Sequence, residues 1–360
     1  LTTLPTHINR DATLRVKILD ACGMSCVWCH NEGTPVAADN RHSLPLTAAG
    51  PSGRVSIYAA TNGVQFVPGR MEPDPQFVDA ITRLRDTLDL HEMHLTGGEP
   101  TLHPHVAALT GIAVREGYEV RMTSNGENGV RALPGCAAAG LGKVNFSIFG
   151  TTPAELAQVQ HERYRNETLA ARKIDALQHS ITSCVAHGMS ANANIVVLDD
   201  THAPRVHRIL DEWSPRLSVR LLNSLDHGQP SIDAIRRILA ARGARPVARY
   251  VTAGVSGSRT EYELGDGRRV FFKEIRPVRL PTTCAGCRFN NGTDCQEGFY
   301  GTRLYRDLRG TYWVGVCIQR MDLCLPLDEF LVSPLVDEIR GLRDRESAQL
   351  AGGRSSVPAA

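Results

Sequence analysis

The sequence predicts an α/β protein: a partial (β/α)6 barrel of TIM type followed by a C-terminal region with its own cysteine group. Three observations carry this. Short apolar strands alternate with helix-patterned segments six times over residues 12–225. A cysteine loop sits directly after the first strand. The alternation stops near Asp226, and a hairpin and further cysteines follow.

The first strand is expected over Thr13 to Leu19, where Leu14, Val16 and Ile18 alternate with polar residues. Residues 31–75 read as an insertion. A loop rich in Pro, Gly, Asn and Ser leads into a hairpin from Val55 to Val67, turning at Asn62-Gly63. Helices are expected at Phe77 to Leu88, Val106 to Glu116, Val130 to Ala139, Leu169 to His187 and Pro204 to Trp213. Between them fall strands at Glu92 to Leu95, Tyr118 to Met122, Val144 to Ile148 and Asn192 to Leu198, with Leu217 to Leu222 as the sixth. That order specifies parallel strands joined by right-handed crossovers, with chemistry at the C-terminal strand ends. Residues 226–337 form the expected C-terminal region, with a helix at Ile232 to Ala241 and a hairpin turning at Gly265-Asp266-Gly267. Residues 338–360, charged and then rich in Gly, Ser and Ala, read as a flexible tail.

The chain has 360 residues, 42% of them hydrophobic, which is ample for a large core. Its formal charge of +2 is nearly balanced, so nothing argues for a nucleic-acid or membrane-surface partner. No apolar run is long enough to span a bilayer, and Leu1 to Arg10 does not read as a signal peptide; the expected location is cytoplasmic. Ten cysteines in such a chain point to metal ligation where they cluster. Seven fall in two groups, Cys22, Cys26 and Cys29, and Cys284, Cys287, Cys295 and Cys317. Cys136, Cys184 and Cys324 stand apart and read as small buried hydrophobes.

Cys22-Gly-Met-Ser-Cys26-Val-Trp-Cys29 places three thiolates in one loop. Three suffice to wrap an iron–sulfur cubane and leave one iron open; zinc, with His30 as a fourth ligand, is the alternative. One β/α step later comes Gly97-Gly98-Glu99-Pro100. Its glycines bring backbone donors and acceptors close to a ligand, and its carboxylate can receive an ammonium group.

These two motifs together resemble the radical S-adenosylmethionine (SAM) superfamily over residues 12–225. The resemblance implies a [4Fe–4S] cluster on Cys22, Cys26 and Cys29 that reductively cleaves SAM, and a radical that removes hydrogen from a substrate. It places Trp28 on the adenine side, Gly97, Gly98, Glu99 and Pro100 at the SAM amino group, and Ser124 and Asn125 near its methionine and ribose. It also assigns Ser147 to the ribose and Asn194, Ile195 and Val196 to the adenine. An external one-electron donor, flavodoxin- or ferredoxin-like, is implied. The C-terminal order of hairpin, Cys284-Ala-Gly-Cys287 and Cys317 resembles the GTP 3′,8-cyclase family of molybdenum-cofactor biosynthesis. That likeness implies a second, auxiliary [4Fe–4S] cluster and substrate-binding arginines at Arg15, Arg220 and Arg303. Cys295 is an additional ligand candidate, with Cys324 as a substitute. Gly301 and Ala21 stand where that family has arginines, and Gln296 to Tyr300 is inserted. The departures imply a small polar substrate other than GTP, nucleotide-, sugar- or amino-acid-like. The competing readings are a maturase acting on a peptide or protein, and a non-catalytic metal-binding module.

Overall fold

In the computed structural model the described residues are 4–26, 67, 69–160, 162–213, 215–225, 227–292, 295–317 and 320–352. Trp28, Cys29, His30 and the hairpin of the insertion lie outside them.

The first elements are strands β1 (Thr6–Arg10) and β2 (Thr13–Lys17), helix α1 (Pro75–Leu88) and strand β3 (Glu92–Thr96). Helix α2 (Val106–Arg115), strand β4 (Glu119–Ser124), helix α3 (Gly129–Ala138) and strand β5 (Lys143–Ser147) follow. Next come helices α4 (Pro153–Gln158) and α5 (Glu167–Ala186), strand β6 (Ser190–Val197), helix α6 (Ala203–Glu212), strand β7 (Leu217–Asn223) and helix α7 (Gln229–Ala241). The last part holds strands β8 (Arg245–Ala253), β9 (Ser258–Glu263), β10 (Arg269–Lys273), β11 (Thr302–Arg306), β12 (Tyr312–Gly315) and β13 (Leu325–Pro326), and helices α8 (Leu327–Leu331) and α9 (Pro334–Gly352). The class is α/β, as expected, and all six expected strands of the β/α progression are present as β2 to β7.

The chain divides into two compact units, Leu1–Asp11 with Ala193–Gly301 and Ser333–Ala360, and Ala12–Asn192 with Thr302–Val332. In the second, strands run in the order β5-β4-β3-β2-β11-β12-β13. β2, β3, β4 and β5 pair in parallel, and β11 adds in parallel to the other side of β2. The register aligns Arg303, Arg15, His94, Arg121 and Lys143 across five strands. Because side chains alternate along a strand, these share one face with Lys17, Thr96, Thr123, Asn145 and Ser147. Leu14, Val16, Met93, Leu95, Val120, Met122, Val144 and Phe146 form the other face and are buried. One face is thus core and the other is polar, although barrel interiors are ordinarily filled by branched apolar residues.

The helices form for local reasons. Asp74 caps α1 by accepting from the Phe77 amide at 2.8 Å, Pro75 opens it, and Phe77, Ala80, Ile81, Leu84 and Leu88 bury one stripe. α4, which the strand–helix reading omits, opens with a capping box in which Thr152 and Glu155 satisfy each other's amides. The chain emerging from the insertion is pinned to the end of β2: the buried Lys17 ammonium donates to Asp20 Oδ1 and the Val67 carbonyl, both at 2.7 Å. The Met71 amide donates to the Ile18 carbonyl at 2.9 Å.

In the other unit the order is β1-β8-β9-β10-β7. β9 is antiparallel to both β8 and β10, while β10 pairs parallel with β7, joining Val219 to Val270. This pairing ties the sixth strand to the C-terminal hairpin, so the units do not divide at the expected boundary of 225/226. The run from 338, expected to be flexible, is helical through Gly352 within α9, and Leu335, Val336, Ile339 and Arg343 are buried. The Arg343 guanidinium lies 2.7 Å from Asp11 Oδ2, with side-chain exposures of 0% and 3%. Gly254, at φ +88°, packs so tightly against Arg343 that an added Cβ would stand 2.4 Å from its Cγ.

Candidate active site

The cysteine loop leaves the C-terminal end of β2, and the Gly97-Gly98-Glu99-Pro100 turn leaves the adjacent end of β3. The two cross at backbone contact. The amides of Gly98 and Glu99 donate to the carbonyls of Leu19 and Ala21, both at 2.8 Å. A Cβ on Gly97 would stand 2.4 Å from the Leu19 carbonyl oxygen, and one on Gly98 would stand 2.1 Å from that of Ala21. Close packing between these loops is what the two glycines permit; the amides of Gly98 and Glu99 are spent on it rather than turned toward a ligand.

Glu99 is the centre of the arrangement. It is buried, and its Oε1 accepts from the Thr101 amide (2.9 Å), the Thr101 hydroxyl (2.7 Å) and the Ser124 hydroxyl (2.7 Å). Its Oε2 accepts from the Asn125 amide at 2.5 Å. Burial pushes its carboxyl pKa up, and the hydroxyls and amides of Ser124, Thr101 and Asn125 pull it down; the net direction is up. A carboxylate has about four acceptor sites. Three donors sit on Oε1, so Oε2, with one, is where Glu99 retains capacity for an ammonium group.

Asn125 carries the arrangement to the cysteine. Its Nδ2 lies 3.6 Å from Cys22 Sγ, and its Oδ1 accepts from the Glu127 amide at 2.9 Å. Glu127 accepts from the Gly23 amide at 2.8 Å, and Lys173 donates to both Glu127 (3.1 Å) and the Gly23 carbonyl (2.8 Å). The Met24 amide also points at Cys22 Sγ, at 3.4 Å. Farther along the loop, Gln160 accepts from the Ser25 amide at 2.8 Å and directs its Nε2 at Cys26 Sγ, 3.8 Å away. Burial first, and then the nearby carboxylates of Glu99 and Glu127, push the Cys22 thiol pKa far up, so it is protonated until a metal takes the sulfur. Cysteine sulfurs supplied with N–H donors are the donor set an iron–sulfur cluster uses, and the half-buried Cys22 and the buried Cys26 fit it. The supporting residues Thr101, Glu127, Gln160 and Lys173 carry no motif of their own. Glu127, two residues past Asn125, had the only local cue.

Ser124 is buried at the end of β4 and Ser147 half-buried at the end of β5. Arg15 and Arg303 are register partners on the polar face. His94, which sequence patterning does not single out, lies between Arg15 and Arg121 in that register, with its Nε2 2.7 Å from the Thr123 hydroxyl. Asn145 accepts from Asn192 Nδ2 at 3.0 Å. In the other unit, Asn194 and Val196 are half-buried on β6, Ile195 is buried between them, and Arg220 is half-buried opposite Phe271.

Cys284 lies in a run of turns over residues 281–286 and Cys287 directly follows it, while Cys295 and Cys317 lie on irregular chain. The Cys287 amide donates to the Cys284 carbonyl at 3.2 Å. Asn290 then donates from its side chain to the Cys284 carbonyl (2.8 Å) and from its backbone to that of Cys287 (2.9 Å). Arg279 reaches Asn290 Oδ1 at 2.6 Å and also donates to the Cys295 carbonyl. Cys317 follows β12 in the unit that holds β2. Among the described residues, no three His, Cys, Asp or Glu side chains form a group that could hold a metal. Cys136 and Cys184 are buried, and Cys324 packs against Tyr305 in the core, its pKa raised to about 12 by burial. No helix among the described residues is long and apolar enough to cross a membrane.

Comparison with known proteins adds the following. The family described as the radical SAM superfamily matches residues 16–209. A probable GTP 3′,8-cyclase of Aeropyrum pernix is 25% identical over 281 residues, covering 76% of this chain and 68% of that protein. A probable GTP 3′,8-cyclase of Pyrobaculum aerophilum is 26% identical over 317 residues, covering 82% and 84%. Among solved structures, Streptococcus suis SuiB is 11% identical and aligns with 92% of this chain and 68% of its own at a TM-score of 0.49.

Proposed function

The chain belongs to the radical SAM superfamily and is an enzyme of that superfamily; on that premise we propose that it removes hydrogen from a small polar substrate in a biosynthetic pathway, leading to oxidation, rearrangement or cyclisation. Membership implies a [4Fe–4S] cluster and SAM, which together supply a one-electron cleavage of SAM to methionine and a hydrogen-abstracting 5′-deoxyadenosyl radical. In our reading Cys22, Cys26 and Cys29 hold the cluster, and Cys284, Cys287, Cys295 and Cys317 hold an auxiliary one.

The chain's own groups have distinct tasks. Asn125, the Met24 amide and Gln160 orient and hydrogen-bond the ligand sulfurs. Glu99 fixes the turn after β3 against the end of β4, and its Oε2 offers the acceptor for the SAM amino group. Arg15 and Arg303, adjacent on the polar face, supply positive charge for an anionic substrate group, and His94, Thr123, Asn145 and Asn192 supply hydrogen bonds. The similarity to proteins named GTP 3′,8-cyclases supports a nucleotide- or sugar-like substrate.

The observation that carries the proposal is the Glu99 hub, which connects the two sequence motifs to each other and to Cys22 through Asn125. The test is anaerobic reconstitution followed by iron analysis and dithionite-driven 5′-deoxyadenosine formation. About eight irons per chain and nucleoside formation are expected, and about four irons with no nucleoside when Cys22, Cys26 and Cys29 are changed to Ala. Zinc in place of iron, with no 5′-deoxyadenosine, would refute the proposal.

A further inference from the structure

Between Lys17, which ends β2, and Cys22 the chain has no regular structure. Leu19 and Ala21 are held there through their carbonyls by the turn after β3. Asp20, between them, is held through its side chain by groups that this turn does not supply. Its Oδ1 accepts from the Lys17 ammonium at 2.7 Å, and its Oδ2 accepts from the Gly69 amide at 3.0 Å. The Lys17 side chain is 0% exposed and that of Asp20 is 20% exposed. The Gly69 amide is itself a fixed point. Gly69 packs against the Arg306 carbonyl at the end of β11 with no room for a Cβ, and Arg306 Nη1 donates to the Arg70 carbonyl at 3.1 Å. The Met71 amide and carbonyl are bonded to Ile18 and His103. All these groups belong to one compact unit.

From this geometry we infer that Lys17 and Asp20 are positioning residues for Cys22, the first of the proposed cluster ligands. The inference rests on the proposed cluster at Cys22, Cys26 and Cys29, and it adds what sets the first sulfur in place before metal arrives. Lys17 and Asp20 are given no contact with a reacting atom; they act through the loop. A buried ammonium needs a carboxylate and further acceptors around it, so Lys17 fixes the carboxylate that lies two residues before Cys22. The same ammonium donates to the Val67 carbonyl at 2.7 Å. One charge thus joins β2, the cysteine loop and the chain returning from the insertion. Irregular chain opens readily unless its groups are pinned. After Cys22, Gly23 is pinned through its amide by Glu127 and through its carbonyl by Lys173. Cys22 is therefore flanked by two ion pairs, Lys17–Asp20 upstream and Lys173–Glu127 downstream. Groups that orient a ligand in this way set how tightly it holds metal.

The test follows alkylation of Cys22 in the unloaded full chain, read by peptide mapping, for wild type, Lys17→Met, Asp20→Ala and Lys17→Met/Asp20→Leu. Cys136 and Cys184, buried in the same unit, report opening of the whole unit. Each single variant strands a charge and the double variant strands none, so the double variant's urea midpoint should lie closer to that of the wild type. Cys22 should nevertheless react about tenfold faster in all three variants, with Cys136 and Cys184 unchanged. After reconstitution, the variants should hold iron at the first site about 10- to 100-fold less tightly in a chelator challenge. Iron at the C-terminal site, followed with Cys22, Cys26 and Cys29 changed to Ala, should be indifferent to Lys17→Met/Asp20→Leu. Wild-type reactivity of Cys22 in the variants would overturn the inference. A parallel rise at Cys136 and Cys184 would do the same, because the pair would then be a prop of the whole unit. So would unchanged iron affinity at the first site. Zinc in place of iron in the wild type would instead count against the proposed function, and the alkylation rates, which need no metal, would still decide the role of the pair.

Discussion

At the scale of single residues, the hub at Glu99 makes a sharp prediction. Four donors converge on its two oxygens. Glu99→Gln keeps the volume but turns an amide toward donors, leaving at least one buried N–H unsatisfied. The expected cost is about 1–3 kcal/mol in urea unfolding. A second prediction concerns Arg279, which bridges Asn290 and the Cys295 carbonyl. Arg279→Ala should loosen the proposed C-terminal cluster, lowering its metal affinity by about 10- to 100-fold in a chelator challenge while iron at the first site persists. The letters of Gly97-Gly98-Glu99-Pro100 were readable as a motif. What Glu99 binds was not, because Ser124 and Asn125 arrive a full β/α unit later. Lys173 and Gln160 come later still and carry no signature. The glycines read as ligand-exposing were in fact needed for loop contact, a role visible only once both loops are placed.

At the scale of elements, the turn after β3 is braced by a histidine whose tautomer the contacts fix. His103 Nδ1 accepts from the His105 amide at 3.0 Å, so Nε2 carries the proton and donates to the Met71 carbonyl at 2.9 Å. Burial holds its pKa below the ordinary histidine value of 6.5. Below that value the unfolded chain binds a proton that the folded chain resists, so the stability His103 provides is full above 6.5 and declines as pH falls. The wild type should therefore lose more of its urea midpoint between about pH 7.5 and about pH 5.5 than His103→Gln does. Strand and helix positions from β2 to β7 were legible because each has a clean period of two or of 3.6. α4 is too short to show a period, although Thr152-Pro-Ala-Glu155 has capping-box spacing. β11, β12 and β13 were hidden because pairing with β2, far away in sequence, is what makes β11 part of that sheet.

At the scale of the whole molecule, the buried pair of Arg343 and Asp11 joins residues 332 positions apart. Removing one partner from such a pair strands a charge, so Arg343→Ala should cost about 3–5 kcal/mol by urea unfolding, and Asp11→Leu/Arg343→Met should recover most of that. A tail rich in charge reads locally as solvated; only its long-range partner shows Arg343 to be an interior residue. The same connectivity bears on how the protein is made. One unit draws on residues at both extremes of the described chain, and the other is completed only by Thr302–Val332. Domains generally fold during synthesis in the order they emerge from the ribosome. Here the unit that carries β2 and the start of its cysteine loop cannot close until Thr302–Val332 has been made, and the other cannot close until α9 has. Iron delivered before Thr302–Arg306 is made would meet a sheet that lacks β11 beside β2, so cluster insertion is expected to follow the synthesis of that strand.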